Sequence, residues 1–427
     1  MFTAAAIIFF ICFTLLAWQN FRYAIIFFIV LLPTYLIRLQ IVGLPTTVLE
    51  LAWFAVTLVW VVKYGKADRF RLKEFFIKHR VFLILLILLL VSSAVGVVNA
   101  GAHHAVFTRG AYLALGQWRA YFFEPVIFLL LLVARRGNDK KKGEIDGELI
   151  STALIFSTIS IAVVGVLQKF LPAFYPPSLW NDVLNGRVTS FYTSPNAVGL
   201  YLAPIIPLVV FKLKECWDKG KKSLFILFLI LLGLNLLTIF LSFSQGGWIA
   251  LMVGAWVAVI SLGYKKTAIV LAVLGLLVGG LFVPLREAIL FKDKGSQNRL
   301  RLWEVTGEYL TRNPINFVFG TGIRRFHADI QKPIFEAKEM ERIIYPHNIF
   351  LNFWTEIGFL GMVAMVGIIS WGFYLAYRLR KENLIWGTTI LVSLVVLLVH
   401  GLVDVPYFKN DLAFLFWSLG ALLVVKR

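Results

Sequence analysis

The chain has 427 residues, 59% of them hydrophobic and 15% charged, with a formal net charge of +19 and a mean hydropathy of +0.82. A soluble globular domain carries about 45–50% apolar and about 25% charged residues, so an ordinary soluble fold is excluded. The basic balance invites a nucleic-acid partner, but Lys and Arg sit in short clusters between apolar runs, where membrane-flanking cations belong, and no nucleic acid is expected.

The expected fold is all-α: a polytopic integral membrane protein with about 12–13 transmembrane helices and one large outward-facing loop. Val81–Val98, Ser223–Ser242 and Leu384–Leu402 each run roughly 17–20 residues with few or no charges, enough to cross a hydrocarbon core of ~30 Å as helix. These runs are continuous rather than alternating, which excludes an outer-membrane barrel.

In chain order, the first apolar run lacks a signal-peptidase pattern and reads as a retained span. Trp18–Tyr23 is a weak turn and Pro33 a helix breaker, so the first forty residues hold one or two spans. Glu50, after Pro45, reads as structural. From Leu44 onward the sequence gives about eleven more spans. They are separated by basic loops at Lys63–Arg80, Arg135–Lys142, Lys212–Lys222, Lys265–Lys266 and Arg378–Lys381, and the chain ends in Lys426 and Arg427. Two crossings separate each cluster from the next, so all fit on the cytoplasmic side, the C-terminus included. Residues 99–118, 172–193, 243–246, 286–346 and 403–409 then face outward. Cys12 in a span and Cys216 in a basic loop imply neither a disulfide framework nor a cysteine metal site. With no internal repeat or linker, residues 1–427 form a single transmembrane domain.

Segment 286–346 is the one sizeable extramembrane piece. It holds about eleven Lys plus Arg and prefers Arg (Arg286, Arg299, Arg301, Arg312, Arg324, Arg325, Arg342), whereas the cytoplasmic loops prefer Lys. Long loops escape the orientation rule, so their charge carries no penalty. The Arg preference suits planar, two-pronged contact with phosphate and points to an outward-facing anionic ligand. Within it, Arg299–Leu310 has amphipathic spacing. It fits a helix on the outer leaflet with Trp303 at the headgroups, or a loop helix packed on the protein.

Where this loop returns to the membrane the chain reads Tyr345-Pro346-His347-Asn348, then Phe350, Leu351 and Trp354, then Glu356-Ile357-Gly358-Phe359-Leu360-Gly361. A helix starting after Pro346 leaves His347 near its N-terminus. It sets Glu356 about two and a half turns deeper, where a carboxylate costs roughly 2.5–3.5 kcal/mol unless partnered or wet. By spacing alone His347 fits a functional group or an interfacial histidine capping the helix. His400 and Asp404 are four apart and would share a helix face near the outward end. A salt bridge or cap fits them, and a site role for Asp404 stays open because it faces the same side as His347. Glu124, in Phe122-Phe123-Glu124-Pro125, likewise reads as a salt bridge or cap.

His347-Asn348, nine residues, then Gly358-x-x-Gly361 resembles the signature of the O-antigen ligase and polymerase superfamily, bacterial enzymes that use undecaprenyl-diphosphate-linked glycans. Gly186-Arg187-Val188-Thr189-Ser190-Phe191 with Ser194-Pro195-Asn196-Ala197-Val198-Gly199 resembles the family's Arg…Pro-Asn…Gly pattern. Asn298-Arg299-Leu300-Arg301-Leu302-Trp303, Asn313-Pro314 and Gly320-Thr321-Gly322 resemble its loop pattern. The likeness covers residues 180–410. One departure is Ser244-Gln245-Gly246-Gly247, where the family usually opens the span with Ser-Arg-Gly.

The resemblance implies a glycosyltransferase of the bacterial cytoplasmic membrane, active on its outer face. It would transfer a glycan from an undecaprenyl-diphosphate carrier to a hydroxyl of a lipid, glycan or protein acceptor, as a ligase or a polymerase. Arg187, Arg299 and Arg301 would bind the diphosphate. His347 would be the catalytic base, since imidazole is protonated and deprotonated nearest neutral pH. Asn348 would orient it, with Asn196, Gln245, Glu356, Gly358, Gly361 and Asp404 in support. No outward loop offers an Asp-x-Asp pair for Mg²⁺ or Mn²⁺, so no metal and no other cofactor is expected. A transporter of lipid-linked saccharide would instead show two related halves and charged residues through many spans, and a non-catalytic scaffold would leave the signature to chance.

Overall fold

The structure is a computed structural model describing residues 2–41, 44–102, 109–137, 139, 142–171, 186–332 and 343–425. Arg342, Lys426, Arg427 and two stretches of the expected outward segments 99–118 and 172–193, namely 103–108 and 172–185, lie outside the described residues. Apart from one hairpin, β1 (Arg38–Ile41) with β2 (Leu44–Thr47), and an isolated bridge between Arg136 and Ile145, the described chain is helical or irregular.

The helices are α1 (Phe2–Gln19), α2 (Phe21–Val30), α3 (Val48–Val59), α4 (Gly65–Lys78), α5 (Arg80–Ala102), α6 (Arg109–Trp118), α7 (Glu124–Ala134) and α8 (Gly147–Phe170). They continue with α9 (Pro195–Leu202), α10 (Ile206–Asp218), α11 (Lys222–Leu241), α12 (Gln245–Ser261) and α13 (Lys265–Leu281). Off the bundle come α14 (Val283–Ile289), α15 (Lys294–Thr311) and α16 (Pro314–Phe319), and the chain returns through α17 (Ile349–Glu382), α18 (Leu384–Gly401) and α19 (Asn410–Ala421). Among the described residues 8 continuous helical segments are long and apolar enough to cross a membrane, or up to 9 if the α13–α14 pair, bent by 100°, is one span. Ala4–Gln19, Phe21–Val30 and Gln245–Ser261 are shorter apolar helices, as is the 12-residue α19. The all-α polytopic expectation is met. Reaching about 12–13 crossings requires these short helices to traverse.

Large apolar side chains remain exposed along α5, α11 and α13, Leu276 and Leu281 among them. Water would penalise such a surface, whereas a bilayer does not.

The loops sort to two ends. Lys63 donates to the Trp18 carbonyl (2.6 Å), Arg71 pairs with Glu144 (2.5 Å), Arg135 with Asp68 (3.3 Å), and Arg22 with Asp146 (2.7 Å). Lys212 reaches Glu148 (3.0 Å), and Arg380 donates to the Ser261 carbonyl (2.7 Å). The basic loops therefore hold one another at one end. The segments expected on the other side meet at the opposite end.

At that end α17 is broken rather than straight. Gly358 has φ 77° and ψ 175°, outside helical values, so the Thr355 carbonyl is free of its usual helical partner. The Gly320-Thr321-Gly322 turn fills the gap: Thr321 N–H (2.8 Å), Gly322 N–H (3.3 Å) and the Thr321 hydroxyl (3.1 Å) all donate to that carbonyl. Glu356 accepts from the Arg324 N–H (3.2 Å), so the buried carboxylate ties the outer loop to the span. A Cβ on Gly320 would lie 2.3 Å from the Thr355 carbonyl oxygen, and Gly320 itself has φ 66°. Gly320→Ala should therefore destabilise by on the order of 1–3 kcal/mol or more. The readout is a lower midpoint of thermal unfolding in nanodiscs, and an unchanged midpoint would refute the docking role.

The outer helices also make a small core of their own, Leu302, Val305, Phe326 and Ile330, with Tyr309 and Ile343 against it. Hence α15 packs on protein, not flat on lipid. The Trp303 indole N–H donates to the Pro346 carbonyl (2.9 Å).

Candidate active site

The site is built from four pieces of chain. The first is the turn carrying Arg187. Gln168 on α8 holds it from below, its amide oxygen accepting from the N–H groups of Thr189 (3.1 Å) and Ser190 (2.7 Å), and its amide nitrogen donating to the Ser190 carbonyl (2.6 Å). Arg187 Nε then donates to the Ser242 carbonyl (3.0 Å) and Nη2 to Asn196 Oδ1 (3.1 Å). The guanidinium is thus aimed rather than free, which lowers the entropy lost on binding a ligand.

The second piece is the start of α12, where Gln245 donates to the Pro284 carbonyl (3.0 Å). The residue in place of the family's usual Arg joins this span to the first turn of α14. The third is the first turn of α15. Asp293 is its N-cap, accepting from the Ser296 N–H (3.0 Å), and Arg299 follows one and a half turns later. An 18-residue helix presents partial positive charge at this end.

The fourth piece joins α17 to the α18–α19 connection. His347 has φ 52°, the left-handed region, an arrangement costing on the order of 1–3 kcal/mol for a non-glycine residue. Its Nδ1 lies 3.2 Å from Asp404 Oδ1. The other Asp404 oxygen accepts from Asn196 Nδ2 (3.2 Å), and the Val405 N–H also donates to Oδ1 (2.9 Å). Burial alone would push the Asp404 carboxyl up. The His347 imidazole and its hydrogen bond, with His400 and Arg299 nearby, hold it well below the usual carboxylate range instead. Tyr345 packs its ring edge-on to His347, 5.0 Å between centroids, and burial pushes its phenol up, so it offers no competing base.

Arg187, Asn196, Gln245, Asp293, Arg299, His400 and Asp404 line one open polar cleft of about 370 Å³, with Phe243 and Val403 on its wall. Of the residues singled out in the sequence, Arg187, Arg299, Asn196, Gln245 and Asp404 therefore come together. His347 joins them through Asp404 and keeps 22% of its side chain exposed. Others do not join. Arg301 is exposed and absent from the cleft lining, because residues two apart on a helix point about 200° away from each other. Asn348 caps α17, accepting from the N–H groups of Phe350 (3.0 Å) and Leu351 (3.1 Å), and donates to the Leu402 carbonyl (3.0 Å). The side chain that hydrogen-bonds His347 is Asp404, whereas the hydrogen bonds of Asn348 go to backbone groups. Glu356, Gly358 and Gly361 belong to the break in α17 and its packing. A Cβ on Gly361 would come 3.1 Å from the Ser92 Cβ of α5.

The His400–Asp404 pairing by helical spacing also fails, since α18 ends at Gly401. Asp404 turns to His347 instead. Glu124 and Glu50 are placed as a structural cluster: Arg119 reaches both, at 2.9 Å and 2.8 Å. Missed altogether was Asp293, although an Asp three residues before Ser296 ahead of an amphipathic run is a readable cap signal. Among the described residues no three His, Cys, Asp or Glu side chains converge as a metal site.

Residues 226–366 match the O-antigen ligase family model. The match supports the superfamily that the motifs imply, and with it a membrane glycosyltransferase of the ligase and polymerase kind. A comparison with curated proteins gives no match. The matched stretch runs from α11 into α17 and contains Gln245, Arg299 and His347. Arg187, Asn196 and Asp404 lie outside it in sequence and come to it in space.

Proposed function

We propose that the protein transfers a glycan from a polyprenyl diphosphate to an acceptor hydroxyl, by metal-independent inverting displacement at the outer face of a bacterial cytoplasmic membrane. The observation that carries this is the convergence of Arg187 and Arg299, 112 positions apart in the sequence, on one cleft with the carboxylate that holds His347.

The Asp404 carboxylate accepts the Nδ1 hydrogen of His347, which fixes the tautomer and leaves Nε2 as the proton acceptor. The acceptor hydroxyl loses its proton to Nε2 as its oxygen bonds to the anomeric carbon. The bond from that carbon to the phosphate oxygen breaks, and the leaving diphosphate keeps the electron pair. An Arg about 4 Å from a phosphate oxygen contributes on the order of 4 kcal/mol at an effective dielectric near 20, before desolvation. Placed cations thus stabilise the charge that builds on the leaving group. Asp404 is engaged by His347 and Asn196, whereas Asp293 caps its helix through Oδ1 and leaves Oδ2 without a partner. Two carboxylates without a third His, Cys, Asp or Glu converging beside them among the described residues make a poor divalent-ion set, which supports direct displacement.

The clustering of basic loops at the far end supports a cytoplasmic location for that end and for the C-terminus. The acceptor is a hydroxyl on a lipid, glycan or protein, which keeps both ligase and polymerase activities in view.

The test is transfer by purified protein in nanodiscs, from a polyprenyl-diphosphate glycan to candidate acceptors. Arg187→Ala or Arg299→Ala should each lose at least about tenfold, with poor rescue by Lys, which lacks the two-pronged contact. EDTA should leave the rate unchanged. Activity lost to EDTA and restored by Mg²⁺ would overturn the metal-free reading, and full activity in both Arg variants would move the diphosphate elsewhere.

A further inference from the structure

His400 has no part in the mechanism so far, yet it lines the same cleft and is 1% exposed. Its ring is clamped between glycines of two other helices. A Cβ on Gly199 of α9 would come 3.0 Å from Cε1, and a Cβ on Gly246 of α12 would come 2.8 Å from Cδ2 and 3.1 Å from Nε2. Gly246 lines the cleft beside His400, and Nε2, unlike Nδ1, is not among the buried atoms left without a partner. Nδ1 is buried and has no hydrogen-bond partner. A proton on Nδ1 would face no acceptor, so the unbound site favours the tautomer with its N–H at Nε2.

Charge supplies a second argument. Arg187 and Arg299 are opposed by Asp293 and Asp404 among the groups lining the cleft, so its formal charge balances before His400 or His347 is considered. A dianionic or trianionic ligand needs further donors. Buried polar atoms without partners on residues lining the cleft include a donor, Arg299 Nε, and an acceptor, Asp293 Oδ2, a pattern expected where a ligand or ordered water completes the hydrogen bonding.

We infer that His400 is a substrate-contacting residue that donates its Nε2 hydrogen to a non-bridging oxygen of the bound diphosphate. The two imidazoles at the site then hold opposite tautomers: His347 receives a proton at Nε2, and His400 presents one at Nε2. No proton is transferred by His400, and its contribution is to hold and orient the anion. The inference rests on the cleft being the diphosphate site.

The experiment is equilibrium binding of undecaprenyl diphosphate to the full chain in nanodiscs, paired with transfer kinetics, for His400→Phe and His400→Gln. Phe keeps a flat ring without a donor; Gln restores an N–H near Nε2. The expected result is binding weakened at least about tenfold in His400→Phe, a raised donor KM, and recovery to within about threefold in His400→Gln. Native-like binding in His400→Phe, or equal losses in both variants, would overturn the inference in favour of a packing role. Should His400→Phe fail to fold, His400→Met is the donor-free variant. Arg187→Ala in the same titration separates the two claims. If it weakens binding while His400→Phe does not, only the role of His400 falls. If neither matters, the cleft is not the diphosphate site and both fall.

Discussion

His347→Ala should lower kcat for glycan transfer by roughly 10²–10⁴-fold while leaving the donor KM within a few-fold of the native value. The split follows from where the residue sits. His347 is not among the side chains lining the cleft with Arg187 and Arg299, so removing it takes away few ground-state contacts to the diphosphate. What it removes is the acceptor for a proton released only as the hydroxyl attacks. His347→Gln is the sharper variant, because its amide can still hydrogen-bond Asp404 but cannot take up a proton. Steady-state kinetics over a range of donor concentrations measures both constants. Wild-type turnover in both variants would remove His347 from the chemistry, and a large rise in KM with normal kcat would make it a binding residue.

The groups in this site were legible in the sequence to different depths, for physical reasons. By spacing alone His347 fitted a functional group or a cap, and the resemblance of the stretches around it, Arg187 and Arg299 to the family's motifs singled the three out. That they share the outward side followed from the alternation of basic loops; the contacts that join them could not be read, since those depend on how α9, α15 and α17 pack. Arg301 was grouped with Arg299 because both lie in the Arg-rich stretch that resembles the family's loop pattern. With Leu302, Val305 and Leu310 buried, Arg301 must point away. Asp404 was paired with His400 on the assumption that one helix carried both. The helix stops three residues early, at Gly401, which frees Asp404 to cross to His347. Side chains acting at a distance left no sequence signal. Gln168 reads as one polar residue in a span, yet it makes three hydrogen bonds to the turn behind Arg187. Trp303 reads as an interfacial anchor, yet it grips the carbonyl next to His347.

The fold itself was more legible. Apolar runs and alternating basic loops depend on the bilayer rather than on packing detail. Hence the ion pairs and hydrogen bonds among Lys63, Arg71, Arg135, Lys212 and Arg380 and their partners could be anticipated as a shared end, though not pair by pair. The break in α17 was not foreseen. A Gly-x-x-Gly pattern is also what helix-packing interfaces use, and only the positive φ of Gly358 distinguishes a break from a close crossing. That break lets the outer loop hydrogen-bond into the span and holds the segment between Gly320 and Arg324 in register with the helix that starts just after His347.

Asp404→Asn should reduce kcat by at least about tenfold, with a signature that a merely structural residue would not give. In the native protein the carboxylate accepts from His347 and fixes Nε2 as the basic nitrogen. An amide can turn its N–H toward Nδ1, which selects the other tautomer and places the hydrogen on the nitrogen that must receive one. Asp404→Glu should retain more activity than Asp404→Asn if charge and acceptor capacity matter more than exact reach. Stability supplies an independent readout, with a definite sign. The folded-state carboxyl is held below its unfolded value, so its contribution is fully present above the ordinary aspartate range near about 4 and is lost as pH falls through the lower folded-state value. The melting-temperature gap between native protein and Asp404→Asn should therefore be steady from neutral pH down to about 5 and close in more acidic solution. The charged and titratable groups facing Asp404 in that comparison are His347, His400, Arg299, Lys409 and Tyr345. A gap that widens with acid, or an Asn variant with native kcat, would mean that Asp404 neither fixes the tautomer of His347 nor stabilises the site as an anion.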